Sequence, residues 1–204
     1  MILTQIPIGA GRNFAYLFGD ETTREAAVID PGNNVEKILK QIQQLKVHIK
    51  YIFNTHSHGD HTSGNSQMKE KTGAKIVAHI QSPRPKDIAV KDQDSLEVGR
   101  LKVKVLHTPG HTSDGICLLV DGKLFTGDTL FVGECGRTDL PGSSAKDMYH
   151  SLFDKILSLD DSIEVYPGHD YGRRPSSTIG HERRTNYTLE KRTLAEFIEF
   201  MAEP

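Results

Sequence analysis

Short β-rich runs at residues 2–8 and 13–18 alternate with turn signals, a polar turn occupies 20–23, and a further apolar run follows at 26–29, predicting an antiparallel start of three strands. Asp30, Pro31 and Gly32 end the third run. Asn33 or Asn34 then stands at a helix cap, and Val35, Ile38, Leu39, Ile42 and Leu45 recur at helical spacing as far as Lys46. A strand at 49–53, a histidine-rich loop, a short helix at 63–71 stopped by Gly73 and a short strand at 75–78 come next. Residues 81–94 carry Pro83, Pro85 and several charges, the pattern of an exposed loop. Strands resume at Leu96, so this loop is no domain linker. The second half repeats the logic, with strands at 101–106, 115–120 and 123–126, the last two joined by an Asp121–Gly122 hairpin turn. A helix at 145–157, a strand at 163–166 and a final helix at 189–201 complete the pattern, with Leu194, Phe197, Ile198 and Met201 on one core-facing stripe. Two strand-rich halves that each return through a helix predict an α/β fold, a four-layer αββα sandwich, as a single domain over 1–204.

Composition narrows the partners. With 25 Lys plus Arg against 27 Asp plus Glu, no overall positive field would hold a nucleic acid. No apolar run reaches the roughly 18 residues of a membrane span. The opening residues show no basic leader followed by an apolar block, so the expectation is a cytoplasmic protein. Cys117 and Cys135 are expected to be reduced and structural. A homodimer stays open. Histidine changes the picture: there are ten, clustered with aspartate beside turn residues.

The segment from Asn54 to His61 reads Asn-Thr-His-Ser-His-Gly-Asp-His and follows a predicted strand, where a loop can project several side chains into one cleft. In extended backbone His56 and His58 point the same way, while Asp60 and His61 lie beyond a glycine that lets the chain turn. One loop can thus serve two neighbouring ions. Imidazole and carboxylate without thiolate suit zinc, iron or manganese at a catalytic site. Three more candidates end predicted strands or follow tight turns: His111 after Pro109–Gly110, Asp128 after Gly127, and His169 after Pro167–Gly168. A Pro-Gly turn can aim the next imidazole into the same cleft. His48, His79, His107, His150 and His181 lack such a context and read as structural or solvated.

In the order of these motifs the chain resembles the metallo-β-lactamase superfamily. The resemblance implies the αββα fold, one metal on His56, His58 and His111, a second on Asp60, His61 and His169, and Asp128 bridging both. True β-lactamases do not use aspartate at the place of Asp128, which argues against antibiotic hydrolysis. The run from Thr126 to Asp139, with Pro167 to Tyr171, looks like the glyoxalase II and persulfide dioxygenase branch, whose members act on glutathione conjugates. By that resemblance Arg137 and Tyr171 are substrate-binding residues; an arginine fork suits a carboxylate and a tyrosine hydroxyl can bond a reacting group. Contacts that merely stabilise the loop are the alternative for each. Two departures stand out. The C-terminal helical extension of glyoxalase II is missing, and Gly168 stands where the dioxygenases often carry alanine, which favours a hydrolase. The doublets Arg173–Arg174 and Arg183–Arg184 read either as a rim attracting an anionic substrate or as a solvated face.

The leading expectation is therefore a thioester hydrolase with two divalent ions, zinc foremost and iron or manganese admissible. A metal-bridging hydroxide would attack, with Asp60 and Asp128 as catalytic residues and a small thioester or thiol conjugate as partner. The alternative is a persulfide dioxygenase with one Fe(II) on His56, His111 and Asp128. A metal-binding module without turnover is the distant third.

Overall fold

The computed structural model describes residues 1–9 and 12–203; Ala10, Gly11 and Pro204, which the expected 1–204 span includes, lie outside the described residues. The first half forms β1 (Ile2–Ile8), β2 (Asn13–Gly19), β3 (Glu25–Ile29), β4 (His48–Phe53), β5 (Lys75–His79) and β6 (Ile88–Val90), hydrogen-bonded in that order. Pairing is antiparallel as far as β3 and parallel beyond it. The parallel steps need crossovers, supplied by α1 (Val35–Leu45), then by the short α2 (Gly59–Thr62) and α3 (Asn65–Thr72). The second half forms β7 (Ser95–Val98), β8 (Leu101–His107), β9 (Ile116–Val120), β10 (Lys123–Gly127), β11 (Glu164–Pro167) and β12 (Ser177–Thr178), again paired in sequence order, with only β10 and β11 parallel.

Alternation along β2 explains the layers. Phe14, Tyr16 and Phe18 point between the sheets, where Phe53, Val105, Leu118 and Phe125 meet them. Ala15 and Leu17 point outward, onto Val35 and Ile38 of α1 and Met68 of α3. The outer face of the second sheet is covered in the same way by α4 (Ala145–Tyr149), α5 (Ile179–Thr185) and α6 (Leu194–Ala202), which bury Met148, Ile179 and Phe197 against Cys117, Leu124 and Val165. This is the expected αββα order.

Several local expectations are corrected. The helix foreseen at 145–157 is α only as far as Tyr149, then widens into a π turn over His150–Lys155 and tightens over Ile156–Ser158. Met148, Leu152 and Ile156 stay buried throughout. The final helix begins at Leu194 because Thr193 and Glu196 make a reciprocal capping box. Ile198 is exposed, and Phe200 joins Phe197 and Met201 on the packed side. The loop at 81–94 contains the short edge strand β6, and α5, capped by Thr178, was not foreseen. Among the described residues no helix is long and apolar enough to cross a membrane.

Candidate metal centre

All seven candidate donors meet at one end of the sandwich, where strands from both sheets stop. The loop after β4 delivers His56, His58, Asp60 and His61 from the first sheet, while the ends of β8, β10 and β11 lead to His111, Asp128 and His169. Backbone bonds lock the seam: Ile116 N–H donates to Thr55 C=O (2.8 Å), Phe14 N–H to Gly168 C=O (2.9 Å) and Gly168 N–H to Gly127 C=O (2.8 Å). The base of the histidine loop is fixed by paired side-chain amides, Asn54 to Asn65 at 3.1 Å and Asn65 back to Asn54 at 2.7 Å.

The donors form two groups. His56 Nε2 and His111 Nε2 lie 3.1 and 3.0 Å from His58 Nδ1. Opposite them, His61 Nε2 lies 3.2 Å from His169 Nε2, and Asp60 Oδ2 is 3.5 Å from each. Asp128 stands between the groups, with Oδ2 at 3.5 Å from His111 Nε2 and 3.3 Å from His169 Nε2, and Oδ1 at 3.5 Å from His61 Nε2. Closeness requires glycine: a Cβ on Gly168 would lie 2.4 Å from Asp128 Oδ1 and 3.0 Å from His61 Cε1, and Gly127 turns at φ +49° where a Cβ would strike Thr55.

The donor set fits divalent cations. Imidazole nitrogens that converge at hydrogen-bond distance cannot all be proton-bearing, and lone pairs turned on one another call for a shared positive centre. Asp128 Oδ1 is buried with no hydrogen-bond partner among the described residues, an orphan that a cation would satisfy. Burial, aided by neighbouring His61, drives His56 well below its ordinary pKa, and burial with His111 lowers His58. Both therefore present lone pairs at neutral pH. Burial opposes ionisation of Asp128, but His61, His56 and His169 outweigh it and hold the carboxyl far below its usual range. For His61, burial is overcome by Asp128, Asp30 and Asp60, which push it up to about 9.

The supporting residues were not singled out in the sequence. Asp30 accepts from Thr55 N–H (2.9 Å), from the Thr55 hydroxyl (2.5 Å) and from His61 Nδ1 (3.0 Å). Its backbone is left-handed, φ +47°, a conformation aspartate tolerates better than most residues. Asn13 Nδ2 donates to Asp60 Oδ2 at 2.8 Å. Ser57, between His56 and His58, is held by Asp114 through its hydroxyl and by Arg84 through its carbonyl. The only sequence signal was the turn composition of Asp30–Pro31–Gly32, which reads as a strand end.

A cavity of about 330 Å³ opens beside His111 and Asp128, walled by Phe131, Glu134, Cys135, Arg137 and Tyr171. The Tyr171 ring lies flat on His169, 4.8 Å apart with 8° between planes. Arg137 takes part through its carbonyl, which accepts from His111 Nδ1 at 2.9 Å, whereas its guanidinium is engaged by Asp139. Cys117 and Cys135 are free thiols, both raised by burial, to about 11 and about 12. Outside the centre, His79 and His107 stack on each other at 3.9 Å and His150 pairs with Asp154.

Comparison with known proteins agrees with this geometry. The family model described as the Metallo-beta-lactamase superfamily matches residues 8–85 and 79–169. The chain is 34% identical over 192 residues to the human mitochondrial persulfide dioxygenase ETHE1, covering 92% of this chain and 75% of that protein. It is 37% identical over 177 residues to a hydroxyacylglutathione hydrolase of Pelagibacter ubique, covering 84% and 72%. Among solved structures, ETHE1 from Myxococcus xanthus superposes with a TM-score of 0.95 at 36% identity, covering 100% of this chain and 92% of that one.

Proposed function

The chain belongs to the metallo-β-lactamase superfamily, and from that premise we propose that it is a metal-dependent hydrolase cleaving a thioester, of the hydroxyacylglutathione type or a related acyl thiol. The observation that carries this reading is the completeness of both donor groups around one shared carboxylate. His56, His58 and His111 would hold one ion and Asp60, His61 and His169 another, with Asp128 common to both; zinc suits these donors, and iron or manganese is compatible. Gly168 supports the same reading, because a methyl group there would press on Asp128 and His61 and crowd the second group.

Bound ions supply Lewis acidity toward a carbonyl oxygen and lower the pKa of coordinated water toward roughly 7. The protein does the rest. Asp60 is half exposed at the mouth, and Asn13 fixes its Oδ2, so its carboxylate orients the attacking water. Phe131 and Tyr171 provide an aromatic wall that keeps bulk water from the acyl group. Asp30 keeps His61 in one orientation through Nδ1, leaving Nε2 for the centre. A thiol of pKa about 8.5 leaves as thiolate without a strong acid. The proposed partner is a small thioester or thiol conjugate met in the cytoplasm, with neither nucleic acid nor membrane involved.

Likeness to ETHE1 in sequence and fold favours a second reading, an iron persulfide dioxygenase using His56, His111 and Asp128. Asp128 Oδ2 lies 3.9 and 3.5 Å from the Nε2 atoms of those histidines. One experiment separates the two. Protein made in medium holding both iron and zinc is analysed by plasma mass spectrometry, then given S-lactoylglutathione or glutathione persulfide. Two ions per chain with oxygen-independent thioester cleavage is the expected result. A single iron, with oxygen consumed and sulfite formed from the persulfide, would overturn the hydrolase reading.

A further inference from the structure

The two arginine doublets, alike in sequence, differ in the folded chain. Arg183 donates to Asp161 at 3.0 Å, and Arg184 lies 3.9 Å from the same carboxylate. They share one carboxylate on a solvated face. Arg173 and Arg174 are exposed and have neither a carboxylate nor a carbonyl partner among the described residues. Arg12 is like them, with no carboxylate or carbonyl partner for its guanidinium among the described residues. The others are all engaged: Arg24 and Arg84 by carbonyls, Arg100, Arg137 and Arg192 by carboxylates.

The three unengaged arginines share a location. Arg12 C=O accepts from Asp170 N–H at 2.7 Å, and its guanidinium carbon stands 6.0 Å from the centre of the Tyr171 ring, which in turn lies flat on His169. Arg173 and Arg174 follow Tyr171 by two and three residues. Their segment is pinned by Gly172, packed tightly on Val132, and by Gln5, which donates to Pro175 C=O at 2.7 Å. The opposite wall carries the carboxylates of Glu134 and Asp139, and a groove of about 660 Å³ continues from it toward Glu203. The Tyr171 side thus carries Arg12 and the segment of Arg173 and Arg174 beside the carboxylates of Asp60 and Asp170, and the other side pairs Arg137 with Asp139 next to Glu134.

We propose that Arg12, Arg173 and Arg174 form an anion-binding rim that receives a carboxylate or phosphate of the substrate's thiol carrier, laid across Tyr171 and away from Arg137. Its assay rests on the hydrolase reading above. Guanidinium groups without a carboxylate or carbonyl partner among the described residues present donor forks at no cost of breaking an ion pair. Arg137 would first have to leave Asp139, which stands beside the incoming anion and repels it.

The test compares three lactoyl thioesters: glutathione, bearing carboxylates, coenzyme A, bearing phosphates, and uncharged N-acetylcysteamine. Wild type is expected to prefer an anionic carrier, and the better one identifies the source of the anion. In the triple variant Arg12→Gln, Arg173→Gln, Arg174→Gln, the kcat/KM ratio of the preferred carrier to N-acetylcysteamine should fall about tenfold, the size expected from losing several exposed charge contacts together. Salt should erode the wild-type ratio in the same direction. The double variant Arg183→Gln, Arg184→Gln keeps the wild-type ratio. The proposal fails if wild type shows no anionic preference, if the triple variant retains it, or if the Arg183 and Arg184 double variant loses it equally. Should no thioester be cleaved, the hydrolase reading falls, but titration calorimetry with S-methylglutathione and coenzyme A still decides the rim. Weaker binding of either by the triple variant supports it, and equal binding of both overturns it.

Discussion

The two donor groups lie side by side yet are built on different principles. His56, His58 and His111 are steered by hydroxyl and carbonyl oxygens: the Thr55 hydroxyl lies 3.1 Å from His56 Nδ1, and Arg137 C=O lies 2.9 Å from His111 Nδ1. The group of Asp60, His61 and His169 is held by charge and amide contacts, with Asp30 on His61 and Asn13 on Asp60. Its carboxylate is half exposed while His61 is sealed. The first group contains imidazoles alone and meets a carboxylate only at Asp128, which it shares. The second is a balanced set of charges, sensitive to the loss of any one of them.

That contrast can be broken or sharpened by substitution. Asp128→Ala removes the group common to both, so metal analysis should find neither ion tightly held and thioester turnover should drop by about three orders of magnitude. Wild-type turnover would end the bridging assignment. Gly168→Ala acts on one side only: the new methyl presses on Asp128 Oδ1 and His61, and the expected stoichiometry falls from two ions toward one, with the His56, His58 and His111 ion retained. Asn13→Ala removes the contacts of its amide to Asp60 Oδ2 at 2.8 Å and His169 Nε2 at 3.5 Å while keeping all seven donors. The ion of the second group should then bind about tenfold more weakly, measured by competition with a chromophoric chelator, while the first ion is unaffected.

The smallest effect concerns imidazoles that serve no ion. Burial, helped by stacked His107 and opposed by Asp114 and Asp92, takes His79 down to about 4. A histidine with a depressed folded pKa contributes its full stability above the unfolded value, near 6.5, and loses it as pH falls toward about 4. Between those limits the wild-type Tm should therefore fall a few degrees more than that of His79→Gln. Parallel curves for the two proteins would remove His79 from the acid response.

Much of this molecule was legible because its signals are local. The donors from His56 to His61 sit on one short stretch after β4, Pro-Gly turns announce His111 and His169, and β2 is a β-rich run bounded by turns. What escaped was non-local. Asp30 looks like a turn residue until the fold sets its carboxylate on Thr55 and His61, and Asn13 looks like the start of a strand until Asp60 meets it. Arg137 lines the cavity beside His111 and Asp128, and its pairing with exposed Asp139 is a contact the sequence did not announce. The strand β6 is three residues at a sheet edge inside a proline-bearing segment, and α5 has too little apolar periodicity to read. The widened turn after Tyr149 keeps Met148, Leu152 and Ile156 at steps of four, so nothing in the pattern betrays it.

The division of donors between the two sheets also sets an order of events during synthesis. Chains emerge from the ribosome N-terminus first, so the three-histidine group gains its last histidine at residue 111, the shared carboxylate follows at residue 128, and the other group waits for residue 169. A nascent chain therefore completes its donors in stages. A cation held by the first group and Asp128 would be in place before β11 is laid beside β10.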